Sequence, residues 1–115
     1  MSRIYTSENG ELYANSIEKA PDGADVNGHE YTVGHGEHDF VLLRFQNGPV
    51  KEAGVNGLQN EQLIAVLVHR LGVLNKAFPC RENSIAITKL EEARLWLEKR
   101  TADRKARGVE GTNQA

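Results

Sequence analysis

Residues 60–108 read NEQLIAVLVHRLGVLNKAFPCRENSIAITKLEEARLWLEKRTADRKARG, and their spacing decides the architecture. Apolar side chains recur at three- and four-residue intervals from Leu63 to Phe78, which predicts an amphipathic helix over 61–78. Asn60 is placed as its N-cap, with Glu61 in the first turn where the helix dipole favours an acid. Pro79 stops this helix, and a second begins at Arg81 or Asn83 and runs for more than twenty residues to Gly108. So short a turn between two long helices forces them antiparallel.

Working back toward the N-terminus, residues 30–33 and 38–45 alternate like strands joined by the short loop Gly34-His35-Gly36-Glu37. A further short strand is predicted at 50–55. Residues 1–28 are polar and punctuated by Asn9-Gly10, Asp22-Gly23 and Asn27-Gly28, so they read as a loop-rich arm with at most short strands at 3–6 and 11–13. The fold class is α+β: a small N-terminal antiparallel β-sheet, then a C-terminal two-helix hairpin that oligomerises through its helices. The divisions are residues 1–57 for arm and sheet, 58–108 for the hairpin, and 109–115 for a flexible, frayed tail.

The composition is that of an ordinary globular domain, with 26% charged residues and a net charge of −2 over 115 residues. That balance excludes a protein that coats a nucleic-acid polymer. No apolar run approaches a membrane span, and no charged-then-apolar leader opens the chain, so a cytoplasmic protein is expected. The single cysteine, Cys80, excludes an intrachain disulfide. The halves differ, however: residues 1–57 carry four basic and nine acidic side chains, a net of −5, and residues 58–115 carry ten and seven, a net of +3. A bound anion belongs in the second half.

On a helical wheel the apolar arc of the first helix spans about 220°, more than one partner helix covers, so self-association is the natural remedy. Arg70 falls in the middle of that arc. It is either an arginine whose stem packs on apolar neighbours or a guanidinium held at a subunit interface to meet a phosphate or carboxylate. On the second helix Ala86, Leu90, Ala93 and Leu97 form the seam toward the first. A different face carries Arg81, Ile85, Lys89, Glu92, Trp96 and Lys99, where the tryptophan is an interface anchor or a plate for a purine. Ser84 and Thr88 stand one turn apart, as caps or as hydroxyl donors to a ligand.

Tests for catalytic chemistry come back empty. His29, Glu30, His35, Glu37, His38 and Asp39 crowd one hairpin, but their spacing matches no metal-site pattern. Cys80 lacks a base to activate it, and no phosphate-binding glycine loop is present. The basic end, Lys99, Arg100, Arg104, Lys105 and Arg107, is either a nucleic-acid contact or a solvated helix terminus, and its dilution by Glu98 and Asp103 favours the terminus. The residues therefore nominate no enzyme, no metal and no cofactor.

The stretch 60–108, above all RENSIAITKLEEARLWL at residues 81–97, resembles the helical hairpin of the phage anti-CBASS protein 2 and Thoeris anti-defence protein 1 family, with Ser84, Ala86, Thr88, Leu90, Glu91, Glu92, Ala93, Trp96 and Leu97 at its centre. The resemblance implies a non-catalytic sponge that sequesters a cyclic nucleotide or cyclic ADP-ribose-type immune signal in the host bacterial cytoplasm. It also implies a homo-oligomer, often a hexamer, with ligand pockets between subunits and a small sheet before the hairpin. Arg70, Arg81, Ser84, Thr88, Lys89 and Trp96 are the candidate ligand-binding residues. A homo-oligomeric scaffold without a small ligand stays open beside it, as does a metal-dependent hydrolase built on residues 35–39.

Overall fold

A computed structural model describes residues 1–114, which divide into two compact units, the first ending at Leu58 and the second beginning at Gln59.

The first unit is a four-stranded antiparallel meander in the order β1-β2-β3-β4, with β1 at Ser2–Thr6, β2 at Leu12–Lys19, β3 at Asp25–His35 and β4 at His38–Arg44. The expected pairing of two strands around Gly36 is present: His35 lies opposite His38 and Thr32 opposite Leu42. The loop-rich arm is a correction, because residues 12–19 and 25–35 are continuous strands. Ala14, Asn15 and Ser16 are weak strand formers, yet β2 lies between two neighbours, with Asn15 opposite both Arg3 and Thr32. Ladder bonding on both edges overrides their local preference. Gly10 and Gly23 supply the positive φ, 77° and 87°, that the two N-terminal turns need.

A second correction concerns residues 50–55. They form no strand; Val50–Ala53 is a single helical turn, α1, entered at Pro49 with φ −64°. Gln46 holds the loop closed by donating from Nε2 to Gly48 O at 3.1 Å and Gly54 O at 2.7 Å, while its Oε1 accepts from Asn56 N at 3.0 Å. Those bonds outweigh the β preference of Val50 and Val55.

Tyr13 and Val26 are the buried apolar residues described in the chain. The Arg3 guanidinium lies 4.5 Å from the centre of the Tyr13 ring, and the Tyr13 hydroxyl donates to the Asp39 carboxylate. That bond holds the Tyr13 proton, raising its pKa above the ordinary value. Tyr31 and Phe45 meet edge to face at 5.8 Å.

The second unit is the helical hairpin, α2 at Asn60–Ala77 and α3 at Arg81–Ala106. The N-cap of α2 is Gln59, one residue before the expected Asn60; its amide donates to Gln62 Oε1 at 2.8 Å in a capping box. Asn75 pins the turn, accepting from Cys80 N at 3.0 Å and donating to Ser84 Oγ at 3.1 Å. Cys80 caps α3, its sulfur accepting from Asn83 N at 3.4 Å.

Half-buried Ile64, Val68, Leu71 and Asn75 of α2 face half-buried Ala86, Leu90, Arg94 and Leu97 of α3. The expected α3 seam thus holds at three of its four positions, with Arg94 in place of exposed Ala93. No apolar side chain described on either helix is fully buried. The expected frayed end takes a different form over the described residues: 109–114 turn back over Arg104, while Ala115 lies outside the description.

Candidate functional site

The wide arc on α2 divides in two. Its inner part meets α3. Its outer part exposes Val66, Leu67, Val73, Leu74 and Phe78, at 61%, 40%, 56%, 39% and 80%. Arg70 stands in the middle of that outer ridge, about 130° round the helix from the seam. With Ala65, Val66, His69, Val73 and Leu74 it lines an open hollow of about 540 Å³. Every lining residue belongs to α2.

A second hollow, of about 490 Å³, belongs to α3 and its C-cap residue Arg107. It is lined by Trp96, Lys99, Arg100, Asp103, Arg104 and Arg107, with Trp96 65% exposed. Lys99 donates to Asp103 at 2.8 Å, and Arg104 is paired with Glu110 at 3.4 Å. The sequence alone favours a solvated helix end for these cations. The signal was present in the spacing, since Trp96, Arg100, Asp103 and Arg107 recur at four, three and four residues and share one face.

The Asn75–Ser84 bond fixes which residues of the two helices stand level. Five residues along each helix from that bond lie Arg70 and Lys89, and fourteen residues along lie Glu61 and Glu98, which line one hollow together. At 1.5 Å per residue, Arg81 is about 12 Å from the Arg70–Lys89 level and Trp96 about 10 Å from it in the other direction. One chain therefore strings the six candidate residues over roughly 22 Å rather than converging them. Arg70 and Lys89 share a level. Ser84 and Thr88 are brought together, with the Thr88 hydroxyl donating to Ser84 O at 3.1 Å and the Ser84 hydroxyl accepting from Asn75. Arg81 begins α3 at the turn and is exposed.

In the hairpin of β3 and β4, His35 pairs with Glu11 at 3.2 Å and Asp39 is engaged by Tyr13. Among the described residues no three His, Cys, Asp or Glu side chains gather to hold a metal ion, and no helix is long and apolar enough to cross a membrane.

The geometry is thus two single-helix hollows, each with arginine beside apolar or aromatic surface. Residues 39–102 match the Acb2/Tad1 hairpin domain. The chain is also similar to Thoeris anti-defense 1 of Bacillus phage SBSphiJ7, at 50% identity over 93 residues, which are 80% of this chain and 66% of that relative. It spans just under two thirds of the relative's length. With more than half of its residues inside the matched hairpin domain, the chain belongs to the Acb2/Tad1 hairpin-domain family.

Proposed function

We propose that this protein is a non-catalytic phage anti-defence sponge that sequesters cyclic nucleotide or cyclic ADP-ribose-type immune signals, in the host bacterial cytoplasm, at the interfaces of a homo-oligomer. One observation carries the reading: Arg70 sits in the middle of an exposed apolar ridge, lining a hollow that a single helix forms and a second copy would close. An arginine fork framed by apolar surface suits a phosphate withdrawn from water, and a closed pocket makes that contact stronger. Because the chain strings Arg81, Ser84, Thr88, Lys89 and Trp96 too far apart for one compact ligand, neighbouring subunits contribute different members of the set to each pocket.

The family and the similarity to a phage protein named for anti-defence support the biological setting. Sequestration rather than cleavage fits an Arg70 hollow whose lining offers one histidine, His69, with no nucleophilic side chain among the other lining residues. Calorimetry against cyclic di- and trinucleotides and cyclic ADP-ribose isomers tests the proposal. Micromolar or tighter binding, with intact ligand released on heating, is expected. Failure to bind any of them leaves the scaffold reading; ligand recovered in cleaved form would establish a hydrolase.

A further inference from the structure

Arg104 is the one fully buried residue described in the helices, at 6% exposure, and the chain's own tail buries it. Its Nη1 donates to Gln114 O at 2.6 Å, its Nη2 to Val109 O at 2.9 Å and Thr112 O at 3.0 Å, and its Nε lies 3.4 Å from the Glu110 carboxylate. The same arginine lines the hollow with Trp96, Arg100 and Arg107. A guanidinium at the wall of a cationic, aromatic hollow is thus occupied by main-chain carbonyls and the Glu110 carboxylate, which stand where an oxyanion would.

We propose that this hollow binds the phosphate-rich end of a nucleotide, and that residues 109–114 form an intramolecular gate competing for Arg104. The inference deepens the sponge reading, on which it rests for Trp96 as the plate that stacks the base. Arginine presents a planar fork matched to phosphate, and Arg100, Arg104 and Arg107 line the hollow together. The tail offers Arg104 three backbone carbonyls, which carry partial charge, and one carboxylate, Glu110, whereas a diphosphate brings two or more full charges to Arg100, Arg104 and Arg107 together. A ligand with two or more phosphates therefore displaces the tail, and one without phosphate does not. Trp96 supplies the stacking surface, which tolerates any base.

Trp96 is the only tryptophan, so indole fluorescence reports on this hollow alone. ADP, adenosine and inorganic tripolyphosphate serve as probes, titrated into the full chain and into a variant lacking residues 109–115. ADP should quench both, with the shortened chain binding at least tenfold tighter, and Arg104→Gln in the shortened chain should abolish that gain. Adenosine should bind equally to both chains. In the unaltered full chain, amide exchange at Val109 and Thr112, whose N–H groups bond Arg104 O and Val109 O, should quicken when ADP saturates. Equal ADP affinities, a gain that survives Arg104→Gln, or unchanged exchange would each overturn the gate. A chain that captures cyclic signals while its tail stays unresponsive to ADP keeps the sponge and loses the gate; tail-gated ADP binding without capture of cyclic signals does the reverse.

Discussion

Arg70 is the residue whose placement separates a packing arginine from a binding one. A stem packed on its own helix would leave the neighbouring apolar groups covered, yet Val66 and Val73 beside it are 61% and 56% exposed. Replacing Arg70 with Ala should therefore weaken capture of the cyclic signal roughly 10- to 100-fold, the equivalent of one charge-assisted hydrogen-bonded contact, without unfolding the chain. Calorimetry beside circular dichroism reads both quantities, and wild-type affinity in the variant would remove Arg70 from the site. Cys80 predicts the opposite pattern. Its sulfur is a cap accepting from Asn83, and serine caps a helix at least as well, so Cys80→Ser should leave affinity and oligomer size unchanged and Tm equal or slightly higher. Gly34 is a position of the sheet that tolerates no side chain: a Cβ there would overlap His38 O, a main-chain atom of the β3–β4 hairpin, and the Tyr13 hydroxyl, which is held by Asp39. Gly34→Ala should cost about 2 kcal/mol or more in chemical unfolding, through backbone displacement rather than propensity.

At the scale of elements, β2 is held to β1 through Glu18 as well as through the ladder. The Ser2 hydroxyl donates to Glu18 Oε1 at 2.7 Å, and hydrogen bonds from Ser2 and then Ser16 lower the Glu18 pKa below its ordinary value. A depressed carboxylate contributes stability that is complete above the ordinary glutamate range and is lost as pH falls through its own lower value. Glu18→Gln should therefore lower Tm at pH 7 and by progressively less as the pH is taken down through and below the ordinary glutamate range, and a constant difference throughout would refute the linkage. The same strand shows where sequence legibility stops. In the helices a 3.6-residue period and Pro79 are local facts, and they place the start of α2 within a residue and that of α3 within two. In β2 the evidence is non-local, because Ala14, Asn15 and Ser16 become strand by having partners at Val33, Thr32 and Tyr31. In α1 a side-chain network from Gln46 and Asn56 decides the conformation, and no period announces it. Within the site, Arg70 and Trp96 were legible as residues out of keeping with their surroundings. The arginines of the α3 hollow were not, because charge at a helix end has a dipole explanation of its own.

For the molecule as a whole, the hairpin poses an unsolved burial problem. Its seam half-covers one side of each helix, while Val66, Val73, Phe78, Leu95 and Trp96 are each more than half exposed. Exposed apolar surface on that scale favours the proposed self-association. In the proposed assembly the sign of the charge bears on how copies meet: residues 58–115 carry a net +3, so an interface between two hairpins alone would concentrate positive charge, and an anionic ligand at Arg70 would relieve it. Assembly and ligand capture are then thermodynamically linked, each favouring the other by the same factor. Two outcomes follow from that linkage. Stability should depend on protein concentration, with each tenfold increase adding about 1.4 kcal/mol per dimerisation step and raising Tm by a few degrees. Placing a carboxylate in the ridge by Val73→Glu should disperse the assembly in sedimentation and weaken binding in the same variant, although Val73 contributes no polar contact of its own. A chain that sediments as a monomer with constant Tm over a hundredfold range of concentration, and that binds its ligand with full affinity after Val73→Glu, would show the Arg70 hollow to be complete within one copy.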